Sequence, residues 1–111
     1  MSDLSARERA LGLLDCYENL LTPAQKEIAS EYFRYDLSMP EIAENRSSSR
    51  AAVKDALDKA IAKLEEYEKA LGYYRERTVL LSKLDEIEHL ENPEEKLASY
   101  EKLGKAYRNG I

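Results

Sequence analysis

The sequence predicts an all-α fold: a helical bundle that contains a helix-turn-helix, a long fourth helix and two C-terminal helices. Charged residues make up 35% of the 111 residues, and only 4 Gly and 3 Pro interrupt a chain rich in helix-favouring Leu, Ala, Glu and Lys. Apolar residues also recur at helical spacings of three and four. Because this length suits one domain, we expect residues 1–111 to form a single all-helical domain.

Start signals place the first three helices. Apolar spacing predicts a first helix over residues 5–20. Thr22 followed by Pro23 is a good N-cap and first residue for a second helix that reaches about Arg34. Ser38 and Glu41 have the spacing of a capping box, which predicts a short third helix from about Met39 to Asn45.

A fourth helix is expected to begin near Arg50, capped by Ser48 or Ser49, and it carries a heptad seam. The seam residues are Val53, Leu57, Ala60, Leu64, Tyr67, Leu71 and Tyr74. Packing within the domain and packing in a homodimer are both compatible with this seam. Gly72 is expected to weaken or bend the helix, a fifth helix covers 73–90, and a sixth begins at Pro93, so the C-terminal helices occupy about 74–108.

The third and fourth helices together have the pattern of a helix-turn-helix. Ala43 is the small residue that allows close crossing, and Ile42, Val53 and Leu57 provide the apolar contacts. The stretch 21–64 resembles sigma-factor region 4, and we treat it as the helix-turn-helix core. The matching positions are Leu21, Thr22, Glu41, Ile42, Ala43, Ser49, Arg50 and Val53.

Over nearly its full length, with LLDCYENLLTPAQ early in the chain and LEEYEKALGYY at the end of the fourth helix, the sequence resembles the YlxM family. Members are described as helix-turn-helix proteins expected to bind DNA, and gene neighbourhood links them to the signal recognition particle. The resemblance therefore implies a regulatory DNA-binding protein of the winged-helix-like superfamily. It also implies the particle's RNA or proteins as partners.

The turn departs from the family pattern. Where the family has an apolar residue, Gly and another apolar residue, this chain has Arg46, Ser47 and Ser48. Gly takes a left-handed conformation without penalty, and Ser does so less readily. We therefore expect a longer or looser turn, which puts sequence-specific reading in question.

A local excess of positive charge marks the candidate nucleic-acid-binding residues. Between positions 46 and 63 there are five basic residues and two acidic ones, a local charge of +3 against −5 for the whole chain. The candidate set is Arg46, Ser49, Arg50, Lys54, Lys59 and Lys63. A solvated helix face with i,i+4 charge pairs explains the same pattern without a ligand. Only Arg50 suits bidentate guanine contact.

No catalytic set, cofactor motif or metal-ligand spacing is visible, so we expect neither an enzyme nor a cofactor. The single Cys16 suits a reducing compartment, and no stretch is apolar enough to span a membrane, so we expect a cytoplasmic protein.

Two functions remain open from the sequence alone. The first is binding of DNA or of signal recognition particle RNA through the helix-turn-helix. The second is an adaptor that keeps the fold but contacts a protein of the targeting pathway through its acidic, tyrosine-rich C-terminal helices. A steep loss of binding with salt would distinguish the first from the second.

Overall fold

A computed structural model describes residues 3–110, and these form six α-helices and one short 3-10 helix without any strand. The helices are α1 (Asp3–Tyr17), α2 (Pro23–Phe33), α3 (Met39–Asn45), α4 (Arg50–Leu71), α5 (Tyr73–Glu88) and α6 (Pro93–Arg108), with the 3-10 turn at Glu18–Leu20. The predicted all-α helix-turn-helix bundle, with its long fourth helix and two C-terminal helices, is confirmed. The first predicted helix ends earlier than expected, because its last turn tightens to 3-10 geometry.

The chain divides into two compact units, Met1–Tyr74 and Arg75–Ile111. The first holds α1 to α4 and the helix-turn-helix, and the second holds most of α5 and all of α6. That residues 1–111 form one domain stays a prediction.

The core of the first unit lies where α1, α2 and α3 pack on α4. Its most deeply buried large side chains are Leu13, Leu14, Ile42, Val53 and Leu64. The first four residues of the predicted heptad seam, Val53 to Leu64, are all buried within the chain. This part of the seam therefore packs intramolecularly.

The predicted starts of α2, α3, α4 and α6 are each fixed by a side-chain cap. The hydroxyls of Thr22 and Ser38 accept the backbone N–H of the residue three positions on, and the Gln or Glu at that position completes a capping box. Ser49 caps α4 by accepting the Ala52 N–H at 3.0 Å. Asn92 accepts two N–H groups at the start of α6. These contacts are local, so short sequence patterns predict them.

The junction between α4 and α5 is a sharp stop, where the sequence had suggested a weakening or a bend. Gly72 ends α4 in the left-handed region, at φ 64°. The Tyr17 hydroxyl donates to Glu68 Oε1 at 2.6 Å and accepts the Tyr73 N–H at 3.0 Å. Glu68 Oε1 also accepts the Tyr74 N–H at 3.0 Å. The first N–H groups of α5 are thus satisfied by side chains of α1 and α4, and burial with the Glu68 hydrogen bond raises the pKa of Tyr17.

The second unit has little core of its own. Within its described residues, 75–110, only Ile87 is buried. Four of its large apolar side chains are exposed: Val79, Leu81, Leu97 and Tyr100.

Candidate nucleic-acid interface

The turn between α3 and α4 is short and closed by hydrogen bonds. The Ser48 N–H donates to the Ala43 carbonyl at 2.9 Å, and the Ser47 N–H donates to the Glu44 carbonyl at 3.2 Å. Ser47 has a φ of 51°, in the left-handed region. These features together form a Schellman motif with serine in the position that usually holds glycine. The expectation of a longer or looser turn is therefore wrong, because Ser47 accepts the left-handed conformation.

Helices α3 and α4 cross closely despite the polar turn. Ile42 is fully buried, Val53 is 1% exposed and Leu57 is 4% exposed, while Ala43 provides the small contact surface. The apolar residues that the turn lacks are thus replaced by contacts within the two helices. This packing holds the start of α4 in a fixed direction relative to α3.

The N-terminus of α4 projects a cationic surface. Arg50 is the first residue of the helix and is exposed, and no carboxylate among residues 3–110 forms an ion pair with it. Lys54, one turn later, is exposed and lies 2.9 Å from Asp58. Because helix N-termini also carry partial positive charge, this end of α4 favours an anion such as a phosphate.

Arg46 is held by acidic side chains of α2. Its guanidinium donates to both carboxylate oxygens of Glu31, at 3.2 and 2.9 Å, and to Glu27 at 3.0 Å. These hydrogen bonds raise the pKa of Arg46. The guanidinium therefore joins the turn to α2, and two carboxylates offset its charge.

The remaining two candidate lysines lie further along α4 and form pairs on the same helix. Lys59 lies 3.0 Å from Asp55, and Lys63 lies 3.5 Å from Glu66. All four side chains are at least half exposed. At 1.5 Å per residue, Lys63 is roughly 20 Å from Arg50 along the helix axis. The six candidates thus separate into a cluster at the start of α4, two distal lysines, and Arg46 in its pair with α2.

The acidic partners of Arg46 were missed by sequence reasoning. Glu27 and Glu31 stand four residues apart on α2 and so share one face of that helix. This spacing was the available signal, but only the fold brings that face to the turn.

The described residues include no cluster of metal-ligating side chains. Within residues 3–110 no group of three His, Cys, Asp or Glu side chains is arranged to hold a metal ion. His89 is exposed, and its hydrogen bond to the Asp85 carbonyl, at 2.8 Å, raises its pKa. None of the described helices is long and apolar enough to cross a membrane.

Comparison with known proteins shows which family the chain belongs to. The model of the family described as "UPF0122: Putative helix-turn-helix protein, YlxM / p13 like" matches residues 4–105. The chain belongs to the UPF0122 family. The resemblance to YlxM is therefore confirmed, and so is the helix-turn-helix on which it rests. The UPF0122 description is of a helix-turn-helix protein and names no enzyme.

Several curated UPF0122 proteins are similar to this chain. One from Exiguobacterium sibiricum is 37% identical over 94 residues, which cover 82% of this chain and 89% of the relative. One from Pediococcus pentosaceus is 38% identical, covering 77% and 75% of the two chains. One from Bacillus velezensis is 39% identical, covering 78% and 82%. The similarity thus extends over most of each molecule.

Proposed function

We propose that this UPF0122 protein is a non-catalytic regulatory protein that binds nucleic acid, with α4 as the helix that enters the groove. The main observation in support of the proposal is the tight turn between α3 and α4, which leaves the capped N-terminus of α4 exposed to solvent. Helix-turn-helix proteins contact base edges with the first residues of this second helix. Here those residues are Ser49, Arg50 and Lys54.

Each residue has a distinct role in this proposal. Arg50 contacts a phosphate or, through its planar fork, a guanine edge. Lys54 contacts phosphate, and the Ser49 hydroxyl is largely committed to its cap. Lys59 and Lys63 extend the contact along the backbone. Arg46 contributes by holding the turn against α2.

The charge distribution sets the strength and kind of binding. With a net charge of −5, the protein attracts a polyanion only through this local surface. Contact with about three or four phosphates gives a slope of log affinity against log salt of about −3 to −4 on duplex DNA. We take DNA as the target and the cytoplasm, where a bacterial chromosome lies, as the location. Signal recognition particle RNA is the other polyanion to test.

The test is a titration by fluorescence anisotropy against mixed duplex DNA fragments and against signal recognition particle RNA, at low and physiological salt. The variant R50E/K54E should bind much more weakly, and its slope of log affinity against log salt should be shallower by about 1.8, the share of two phosphate contacts. The matched control K83E/K102E changes the net charge by the same amount at two exposed lysines of the second unit. It should bind like the parent.

The outcomes separate the targets. Tight RNA binding with weak duplex binding would replace DNA by RNA as the target. Equal loss in both variants would mean that overall charge, and not α4, governs binding. Binding to neither nucleic acid at physiological salt would refute the proposal and favour an adaptor that contacts a protein of the targeting pathway.

A further inference from the structure

Helix α6 carries a seam of residues that the described chain leaves largely uncovered, with only its last residue, Tyr107, half-buried. Leu97, Tyr100, Gly104 and Tyr107 follow spacings of three, four and three and so share one face of the helix. Leu97 is 61% exposed and Tyr100 is 38% exposed. No side chain of α6 is buried.

A helix of this kind needs a partner surface. α6 has 16 residues, only just longer than the roughly 12–15 residues below which an isolated helix is marginal in water. Most helix stability in proteins comes from packing one apolar face. Leu103 and Ala106 are already half-buried within the chain, whereas Leu97 and Tyr100 remain exposed and are available to pack against a further partner.

The charges of α6 are segregated along its length. Glu94 and Glu95 lie in the first turn, and Lys105 and Arg108 lie in the last. A second α6 running in the opposite direction would place its basic end beside the acidic start of the first. A parallel copy would place like charges together at both ends.

We propose that α6 pairs antiparallel with α6 of a second copy of this chain, so that the protein forms a twofold-symmetric dimer. In this register, Leu97 of one copy packs against Tyr107 of the other, and Tyr100 packs against Gly104. The lack of a side chain at Gly104 leaves space for the Tyr100 ring, since only the end of Arg108 lies within 4 Å of a Cβ placed there.

The same register pairs Glu94 of each copy with Arg108 of the other, which gives two favourable contacts by symmetry. It also brings Glu101 of one copy beside Glu101 of the other near the twofold axis. This central contact between like charges weakens the dimer, so replacing Glu101 with a neutral residue should strengthen it.

The dimer does not rest on nucleic-acid binding, because every residue involved lies on α6. It also differs from a dimer through the α4 seam, since the first four residues of that seam are buried within the chain: Val53, Leu57, Ala60 and Leu64.

The experiment is sedimentation equilibrium of the full chain from about 1 to about 100 μM, a range that detects modest association. The parent should reach twice the chain mass. L97K should weaken the dimer at least about tenfold, because symmetry removes the buried leucine twice. The control A98K adds the same charge at the neighbouring exposed position and should dimerise like the parent, while E101Q should associate several-fold more tightly.

Disulfide trapping in a C16A background tests the direction of pairing. E101C should form a covalent dimer on mild oxidation, and L97C should not. Trapping at position 97 without trapping at 101 would show parallel pairing and overturn the proposal. A parent that stays monomeric at every concentration, or an L97K variant that associates like the parent, would overturn it as well, and circular dichroism confirms that each variant remains helical.

Discussion

Replacing Ser47 with glycine should stabilise the helix-turn-helix. Ser47 holds a φ of 51° at the position that closes the Schellman motif after α3. Its hydrogen bonds come from the backbone, so S47G keeps both the turn and its contacts. Only the steric conflict between Cβ and the backbone is removed.

The magnitude follows from two opposing effects. A non-glycine residue in the left-handed region costs roughly 1–2 kcal/mol. Glycine loses more backbone entropy on folding, which costs roughly 0.5–1 kcal/mol. We therefore expect the free energy of unfolding of S47G to rise by about 0.5–1 kcal/mol. For a unit of this size, that corresponds to an increase in Tm of a few degrees, roughly 2–8 °C.

Urea unfolding followed by circular dichroism at the helical band measures this change. The matched control is S48G, one residue later in the same turn, where φ is not positive and glycine brings only its entropic cost. S48G should be destabilised by about 0.5–1 kcal/mol. Equal effects of the two substitutions, or a loss of stability in S47G, would refute the strained-turn explanation.

Three further predictions concern the first unit and the ion pairs within it. G12A should destabilise by about 1 kcal/mol in urea unfolding, because its Cβ would overlap the Tyr74 ring. R46Q should cost about 1 kcal/mol yet leave the salt slope of nucleic-acid binding unchanged, since its guanidinium is committed to α2. Arg9 of α1 donates hydrogen bonds to Glu65 and so lowers the pKa of this carboxyl group. The stability that Glu65 contributes is therefore present above pH 4.5 and is lost as the pH falls below that value. E65Q should flatten this part of the curve of unfolding free energy against pH.

The capped helix starts of this protein follow from the sequence because their causes are local. The start of α3 needs only Ser38 and Glu41, three residues apart, and both contacts of the capping box form as that spacing predicts. The buried face of α4 also follows from its own period, from Val53 to Leu64. Such features depend on neighbours within one or two turns, so a short window of sequence contains them.

Contacts between distant segments could not be predicted in the same way. The Tyr17 hydroxyl meets the start of α5 more than fifty residues later, and Arg46 meets α2 across the turn. Ser47 was expected to loosen the turn, but the packing of Ile42 against α4 helps hold it in a conformation that serine disfavours locally. The sequence therefore identified the candidate cations but not which of them tertiary contacts occupy.

The ion pairs explain why some candidate cations are more available to phosphate than others. Lys54 and its partner Asp58 are each more than half exposed, and solvent screening leaves an i,i+4 pair of this kind with little net contribution to stability. A phosphate can displace such a partner at small cost, and release of counterions then favours binding. Arg46 is different, because several hydrogen bonds to two carboxylates of another helix must break together. A solvated pair on α4 is thus compatible with nucleic-acid contact, and in this fold the pairing of Arg46 maintains the turn on which that contact depends.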